Sequence, residues 1–394
     1  MTRRGRAVDY LGLESNVVIV SAIAFLLGMG EELWKKFLPK YMEALGASAG
    51  AIGLFGTAKD FFDAIYQYPG GWLADHLGRR RAFLIFILLA SAGYLIYLLS
   101  PSWQFVFVGL AFASVWHSMA SPAIFAVIGD ALPKNKRAMG FTLQSMLKRV
   151  PMAIAPLIGG MLIAVVGVVK GVRMGLAVML LFAALTALLT LRINLPIVTG
   201  APVNIKGVWR SFQPALKRLL LSDIIIRTYE GLTEIFIVLY VTNVTGVSLA
   251  EYGILVAIQM TTAILVYIPA AKLADRIGRK PFVVATFICF ALFPIAVMLA
   301  SSFAALVAAF SIGGLREIGD PSRKAMIVDS AAPHLRARSV GLYYLVRSLT
   351  ITPAASIGGL LWMLAPQMPF IVAGVTGIIG AILFVATVEE QYAS

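Results

Sequence analysis

Gly71-Trp72-Leu73-Ala74-Asp75-His76-Leu77-Gly78-Arg79-Arg80-Arg81 is a sharply charged turn set between two long apolar runs. About 200 residues further on the chain repeats it as Ala271-Lys272-Leu273-Ala274-Asp275-Arg276-Ile277-Gly278-Arg279-Lys280. The match runs position by position, Asp75 on Asp275 and Gly78 on Gly278. A charged element that recurs once, at half the chain length, points to two tandem copies of one unit.

The composition says what surrounds that turn. The chain has 394 residues, 60% of them hydrophobic and only 13% charged, too few to cover the surface of a soluble protein of this size. Its mean hydropathy is +0.88, and mostly apolar runs long enough to cross a bilayer recur throughout. The formal net charge of +14 fits basic loops meeting anionic lipid, so membrane lipids and no nucleic acid are the expected partners. The single cysteine, Cys289, lies in an apolar run, forms no intramolecular disulfide and reads as a small buried hydrophobe. Arg3, Arg4 and Arg6 precede a first apolar run that outlasts a signal peptide, so no cleaved leader is expected.

Twelve spans are predicted, at roughly 17–39, 48–70, 82–99, 103–129, 139–168 and 174–194, then 222–243, 249–271, 282–300, 303–328, 339–364 and 369–388. Basic residues gather on alternate connections, among them Arg79 to Arg81, Lys134, Lys136, Arg137, Lys206, Arg210, Arg276, Arg279, Arg336 and Arg338. The opposite connections, such as Ser100-Pro101-Ser102 and Ser301-Ser302, carry no charge, with Lys35, Lys36, Lys40, Lys170 and Arg173 as exceptions. That bias places both termini in the cytoplasm of a multi-pass protein of the cell membrane, a bacterial or archaeal plasma (inner) membrane. The expected fold is an all-α integral membrane protein, twelve transmembrane helices in two pseudo-symmetric six-helix bundles. The bundles are residues 1–195 and 222–394. Residues 196–221 form a cytoplasmic linker whose part from Val208 to Leu220 reads as a short amphipathic piece on the membrane surface.

Further echoes support the repeat. Ser48 and Gly53 match Ser248 and Gly253, and Gly159-Gly160 match Gly358-Gly359. With its halves and its loop motif, Gly71-x-x-x-Asp75-x-x-Gly78-Arg79-Arg80, the chain resembles the major facilitator superfamily of secondary transporters along its full length. The resemblance implies alternating access, with two six-helix halves rocking around a central cavity. It also implies a conformational latch at Gly71, Asp75, Gly78, Arg79 and Arg80, echoed at Asp275 and Arg279, that closes the cytoplasmic side. A carboxylate facing a helix N-terminus is a reasonable latch electrostatically. Asp75→Asn is accordingly expected to loosen that closure. Unchanged labelling of cysteines placed at the cytoplasmic mouth would refute it.

A second likeness is to the glycine- and proline-rich fifth helix of the family's exporters. Pro156, Gly159 and Gly160 fit, while Met152 and Ala155 stand where glycines are usual. Many drug–proton exporters of the family carry an arginine in the fourth helix. This chain departs from them, with Trp116-His117 and no arginine in that span.

Ionisable residues inside the spans give the sharpest functional signal, because lipid does not tolerate them and they must face a cavity or each other. The proton-coupling candidates are Glu31, Asp60, Asp63, His117, Glu230 and Glu317. Burial moves a carboxyl toward titration near neutrality, and histidine already titrates there. Asp60 and Asp63, three apart, share a helix face, as do Glu230 and Glu234, four apart, with Arg227 a turn earlier. The substrate-binding candidates are Lys148, Arg149, Arg316 and Arg347 for an anionic group, with Trp34, Trp116 and Tyr343 for an apolar part. Structural ion pairing is the competing account for Asp320, Arg323 and Lys324, and bundle packing for the aromatics.

No nucleotide-binding, metalloprotease or nucleophile-elbow motif is present, so the chain is expected not to be an enzyme. No cofactor and no resident metal are expected, a proton gradient is the expected energy source, and the chain is expected to be monomeric. The main expectation is proton-coupled export of a small organic or amphipathic, anionic included, solute. The alternative is a proton-coupled uptake symporter or facilitator of a polar or anionic metabolite. Divalent metal transport is a minor option.

Overall fold

The computed structural model describes residues 15–131, 134–192, 205–330 and 336–387. Side chains of some residues within these, including 121–147, Gly71, Asp75 and Asp275, lie outside the description. All regular structure among the described residues is helical. The chain forms two compact units, one of Met1–Gly46 with Phe62–Ala201 and one of Ala47–Phe61 with Pro202–Ser394.

The first unit runs through α1 (Ser15–Glu32), a 3-10 turn (Lys35–Phe37), α2 (Leu38–Ala44), the second part of α3 (Ala49–Leu77), α4 (Arg79–Leu99), α5 (Trp103–Ala131), α6 (Lys134–Val166) and α7 (Val168–Thr190). Here α1 packs on α6 and α7, and α4 on α5 and α7. The second unit holds α8 (Ile205–Arg210), α9 (Pro214–Thr233), a 3-10 turn (Glu234–Phe236), α10 (Ile237–Asn243), α11 (Leu249–Ile277), α12 (Lys280–Leu299), α13 (Phe303–Leu315), α14 (Asp320–Asp329), α15 (Arg336–Ile351), α16 (Ala354–Leu364) and α17 (Met368–Thr387). In it α9 packs on α16 and α17, and α12 on α13 and α17. The same pairings thus occur within each unit, as two copies of one element order require.

Local chemistry sets several boundaries. Ser48 and Ser248 each accept a backbone N–H three residues on, from Ala51 at 3.2 Å and Glu251 at 3.3 Å. Glu251 closes a full capping box by accepting the Ser248 N–H at 2.9 Å. The expected amphipathic piece over 208–220 is divided. Its start belongs to α8, whereas Pro214, with its fixed φ and no N–H to leave unpaired, opens α9 and carries the chain straight into the seventh predicted span. The second predicted span is also divided between units. Thr57 Oγ1 accepts both the Ser356 hydroxyl at 2.7 Å and the Ser356 N–H at 3.0 Å, tying Ala47–Phe61 to α16.

Seven described helices are long and apolar enough to cross a membrane, namely α4, α5, α6, α7, α11, α12 and α17. The other predicted spans are either charged, as α3 is with Lys59, Asp60 and Asp63, or interrupted. The first and seventh break at 3-10 turns, the tenth at Arg316–Gly319 and the eleventh beside Pro353. A proline cannot continue the hydrogen-bond ladder, which accounts for the last of these.

The breaks in the first and seventh spans have a packing partner each. A Cβ on Gly159 would strike the Leu33 carbonyl oxygen, and one on Gly358 would strike the Leu232 carbonyl oxygen. Phe37 and Phe236 close over them at 3.0 Å from the same Cβ positions. The glycine pair of the fifth and eleventh spans is therefore where two helix backbones touch. Gly159→Val is expected to destabilise the protein by about 1–3 kcal/mol through overpacking. Thermal unfolding in detergent checks this, and an unchanged midpoint would show that the contact yields freely.

Candidate functional site

Each unit holds its own cluster of charged groups. In the first unit, Glu31 sits in the last turn of α1, where Lys35 Nζ bonds its Oε1 at 2.7 Å. His117 Nδ1 lies 3.9 Å from Oε2 of the same carboxylate. Nearby on α3 and α5, the Ser118 hydroxyl donates to Asp63 Oδ1 at 2.6 Å. The sequence thus foretold Glu31, Asp63 and His117 as separate candidates, and the structure sets Glu31 against His117 and Asp63 beside Ser118.

Glu32, the next residue, is buried, with Oε2 lacking any hydrogen-bond partner. Trp34 Nε1 is likewise unpartnered, while its ring stands edge-on to Tyr94 and Tyr97 at 5.8 and 5.6 Å. Trp34 and Trp116 are both core residues of the unit, the latter edge-on to Phe83 at 6.0 Å. Lys148 is exposed on α6 and Arg149 half-buried beside it. Asp60 belongs to the segment grouped with the second unit and pairs with its neighbour Lys59 at 3.3 Å. Although Asp60 and Asp63 are three apart on one helix, each has a different partner.

The second cluster is larger and centres on a residue outside the sequence-based candidates. Asp223, on α9, is 1% exposed. Its two oxygens accept Arg323 Nη1 at 2.7 Å each, Oδ2 accepts the Tyr343 hydroxyl at 3.1 Å, and Arg347 Nη1 reaches Oδ2 at 3.3 Å. Arg323 also donates to Asp320 at 2.8 Å, and Lys324 holds the other oxygen of Asp320 at 2.6 Å. One turn along α9, Arg227 pairs with Glu230 at 2.5 Å, and Arg316 reaches Glu230 at 3.6 Å.

Phe290 orients the two guanidiniums of that last set. Arg227 and Arg316 each lie 4.9 Å from its ring centroid, and Arg316 also lies 4.7 Å from Phe293. Arg316 Nε donates to the Gly313 carbonyl at 2.9 Å, satisfying an end of α13 where the tenth span breaks. Glu317 follows in the break. Tyr343 is fully buried, its hydroxyl donating to Asp223 at 3.1 Å and its ring edge-on to Tyr344 at 5.6 Å.

Counted over these ion pairs, Arg227, Arg316, Arg323, Lys324 and Arg347 share only Asp223, Glu230 and Asp320. Lys324 is exposed, and without it the four arginines are matched in number by these three acids and Glu317. Among the described residues no group of three or more histidine, cysteine, aspartate or glutamate side chains is placed to hold a metal.

The loop motif is placed only in part. Gly78 and Gly278 follow α3 and α11 with φ of 78° and 108°, a backbone region open mainly to glycine, which explains their recurrence. Arg79 is buried at the start of α4, Arg80 and Arg81 are exposed, and Arg279 is half-buried. The environment of Gly71 and the side chains of Asp75 and Asp275 lie outside the description.

Comparison with known proteins agrees with this duplicated architecture. The chain is 24% identical over 384 residues to an uncharacterized MFS-type transporter of Methanocaldococcus jannaschii, covering 94% of each. It is 26% identical over 136 residues to the quinolone resistance protein NorA of Staphylococcus aureus, 34% of this chain and 35% of that one. Its fold is similar to the nucleoside transporter NupG, with a TM-score of 0.78 at 12% identity, covering 96% of this chain and 100% of the other. The family model for the Major Facilitator Superfamily matches twice, over residues 20–229 and 219–393, once for each copy of the repeat. This chain therefore belongs to the Major Facilitator Superfamily: an all-α, multi-pass membrane transporter and not an enzyme, moving a small solute by alternating access.

Proposed function

We propose that the protein is a proton-coupled uptake symporter, or a facilitator, for a polar metabolite bearing an anionic group. The observation that carries this reading is Arg347 of the second cluster, whose Nε is buried without a hydrogen-bond partner and whose ion pair to Asp223 is long, at 3.3 Å. Such an unmet charged donor inside a membrane protein is tolerated only where a ligand or water meets it. Arg316 and Arg347 in the second unit, and separately Lys148 and Arg149 in the first, are the candidate groups for binding the solute. Glu31, Asp60, Asp63, His117, Glu230 and Glu317 are assigned to proton coupling. Twelve membrane crossings in two six-helix bundles, divided at 196–221, with both termini cytoplasmic, complete the reading, together with a monomeric state. Gly71, Asp75, Gly78, Arg79, Arg80, Asp275 and Arg279 serve as its conformational latch.

Export is the second reading. The likeness to NorA over about a third of the chain favours it, as do Pro156, Gly159 and Gly160 in α6. Counterflow exchange in proteoliposomes separates the two. Competition by small carboxylates and phosphates, and not by lipophilic cations, is expected. Competition by lipophilic cations alone would replace the first reading with the second.

A further inference from the structure

Asp223 faces more cations than one carboxylate can satisfy. Arg323, Arg347 and the Tyr343 hydroxyl bond it, and Arg227 Nε stands 4.0 Å away. The three arginines differ in what else they hold. Arg323 has Asp320, and Arg227 has Glu230. Among the described residues Arg347 has only the long bond to Asp223 as an ion pair, and its Nε is buried without a hydrogen-bond partner. Its guanidinium is kept over the Tyr344 ring, 4.7 Å from the centroid. A planar fork, pre-oriented and half-used, is suited to a second, two-pronged acceptor.

We propose that Asp223 is an internal counter-anion occupying the place of the solute's own carboxylate, and that the solute loads by taking Arg347 from it. This rests on the anionic-solute reading above. Asp223 offsets the charge of Arg347, which a low-dielectric interior would otherwise not tolerate. An arriving carboxylate takes Nε and Nη of Arg347 together and satisfies the N–H that Asp223 leaves unmet. Asp223 then keeps Arg323 and Tyr343, so neither carboxylate is left unpaired. The exchange is of like for like, which is why a carboxylate is assigned here in preference to a phosphate. It also makes the observed affinity a difference between two acids competing for one arginine, so weakening the internal one strengthens the external one.

The test measures binding of succinate, and separately of inorganic phosphate, to the purified full chain in detergent. Asp223→Asn is expected to raise succinate affinity about tenfold, the scale of one hydrogen bond to a charged group. Arg347→Gln is expected to abolish binding. If Asp223→Asn alone does not yield folded protein, Asp223→Asn with Arg323→Gln removes both charges together, and the same rise is expected. Equal succinate affinity in wild type and the Asp223 variants overturns the internal counter-anion while leaving the anionic-solute reading intact. Binding of phosphate without succinate overturns the assignment of a carboxylate. Failure of every folded variant to bind either anion overturns the anionic-solute reading, and the counter-anion with it.

Discussion

Arg323→Gln is expected to destabilise the second unit by about 3–5 kcal/mol, the range for removing one partner of a buried ion pair. Arg323 is 3% exposed and bridges Asp223 on α9 to Asp320 on its own helix, α14. Without it Asp223 keeps a hydroxyl and the longer contacts to Arg347 and Arg227, and Asp320 keeps Lys324. A buried carboxylate so weakly compensated loses far more than the bond itself, because the desolvation is not recovered. Adding Asp223→Asn removes the stranded charge and is expected to restore much of the loss. Unfolding midpoints of the wild type, the two single variants and the double variant in detergent give the coupling directly. Simple additivity of the two substitutions would show that the network does not hold α9 to α14.

Glu31→Gln is expected to remove gradient-driven accumulation while leaving solute exchange. Glu31 faces both a lysine and a histidine, Lys35 at 2.7 Å and His117 at 3.9 Å. A carboxamide keeps the shape and cannot carry a proton. At one proton per solute, a gradient of one pH unit supports about tenfold accumulation, and that factor is what the variant should lose. Counterflow, which needs no gradient, controls for folding and solute binding. Gradient-driven accumulation equal to wild type would remove Glu31 from the coupling step, and the same assay on Asp60→Asn tests the next candidate.

Much of this was legible in the chain because the repeat is written in residues that resist substitution. Gly78 and Gly278 need a positive φ, and Ser48 and Ser248 cap their helices, so local geometry preserves the pattern. The buried charges other than Asp223 were legible one by one, since each interrupts an apolar run. Their pairing was not. Asp60 and Asp63 share a helix face, but which neighbour each meets is decided by tertiary packing.

Asp223 escaped notice because it lies at the edge of its predicted span, where boundaries are least certain. The available signal was its i,i+4 spacing to Arg227, which continues the charged face to Glu230. Breaks in the first and seventh spans were hidden for a different reason. Nothing in Leu33-Trp34 or Thr233-Glu234 stops a helix locally, and their partners, Gly159 and Gly358, lie more than a hundred residues away in sequence.

Proton movement during solute entry tests the central claim most directly. Purified protein in liposomes with a pH-sensitive dye inside would receive a small carboxylate under an imposed pH gradient. Acidification of the interior that tracks carboxylate entry, and that is lost in Glu31→Gln, is the predicted result. Alkalinisation as solute enters would mean exchange against protons, and would contradict symport in favour of export.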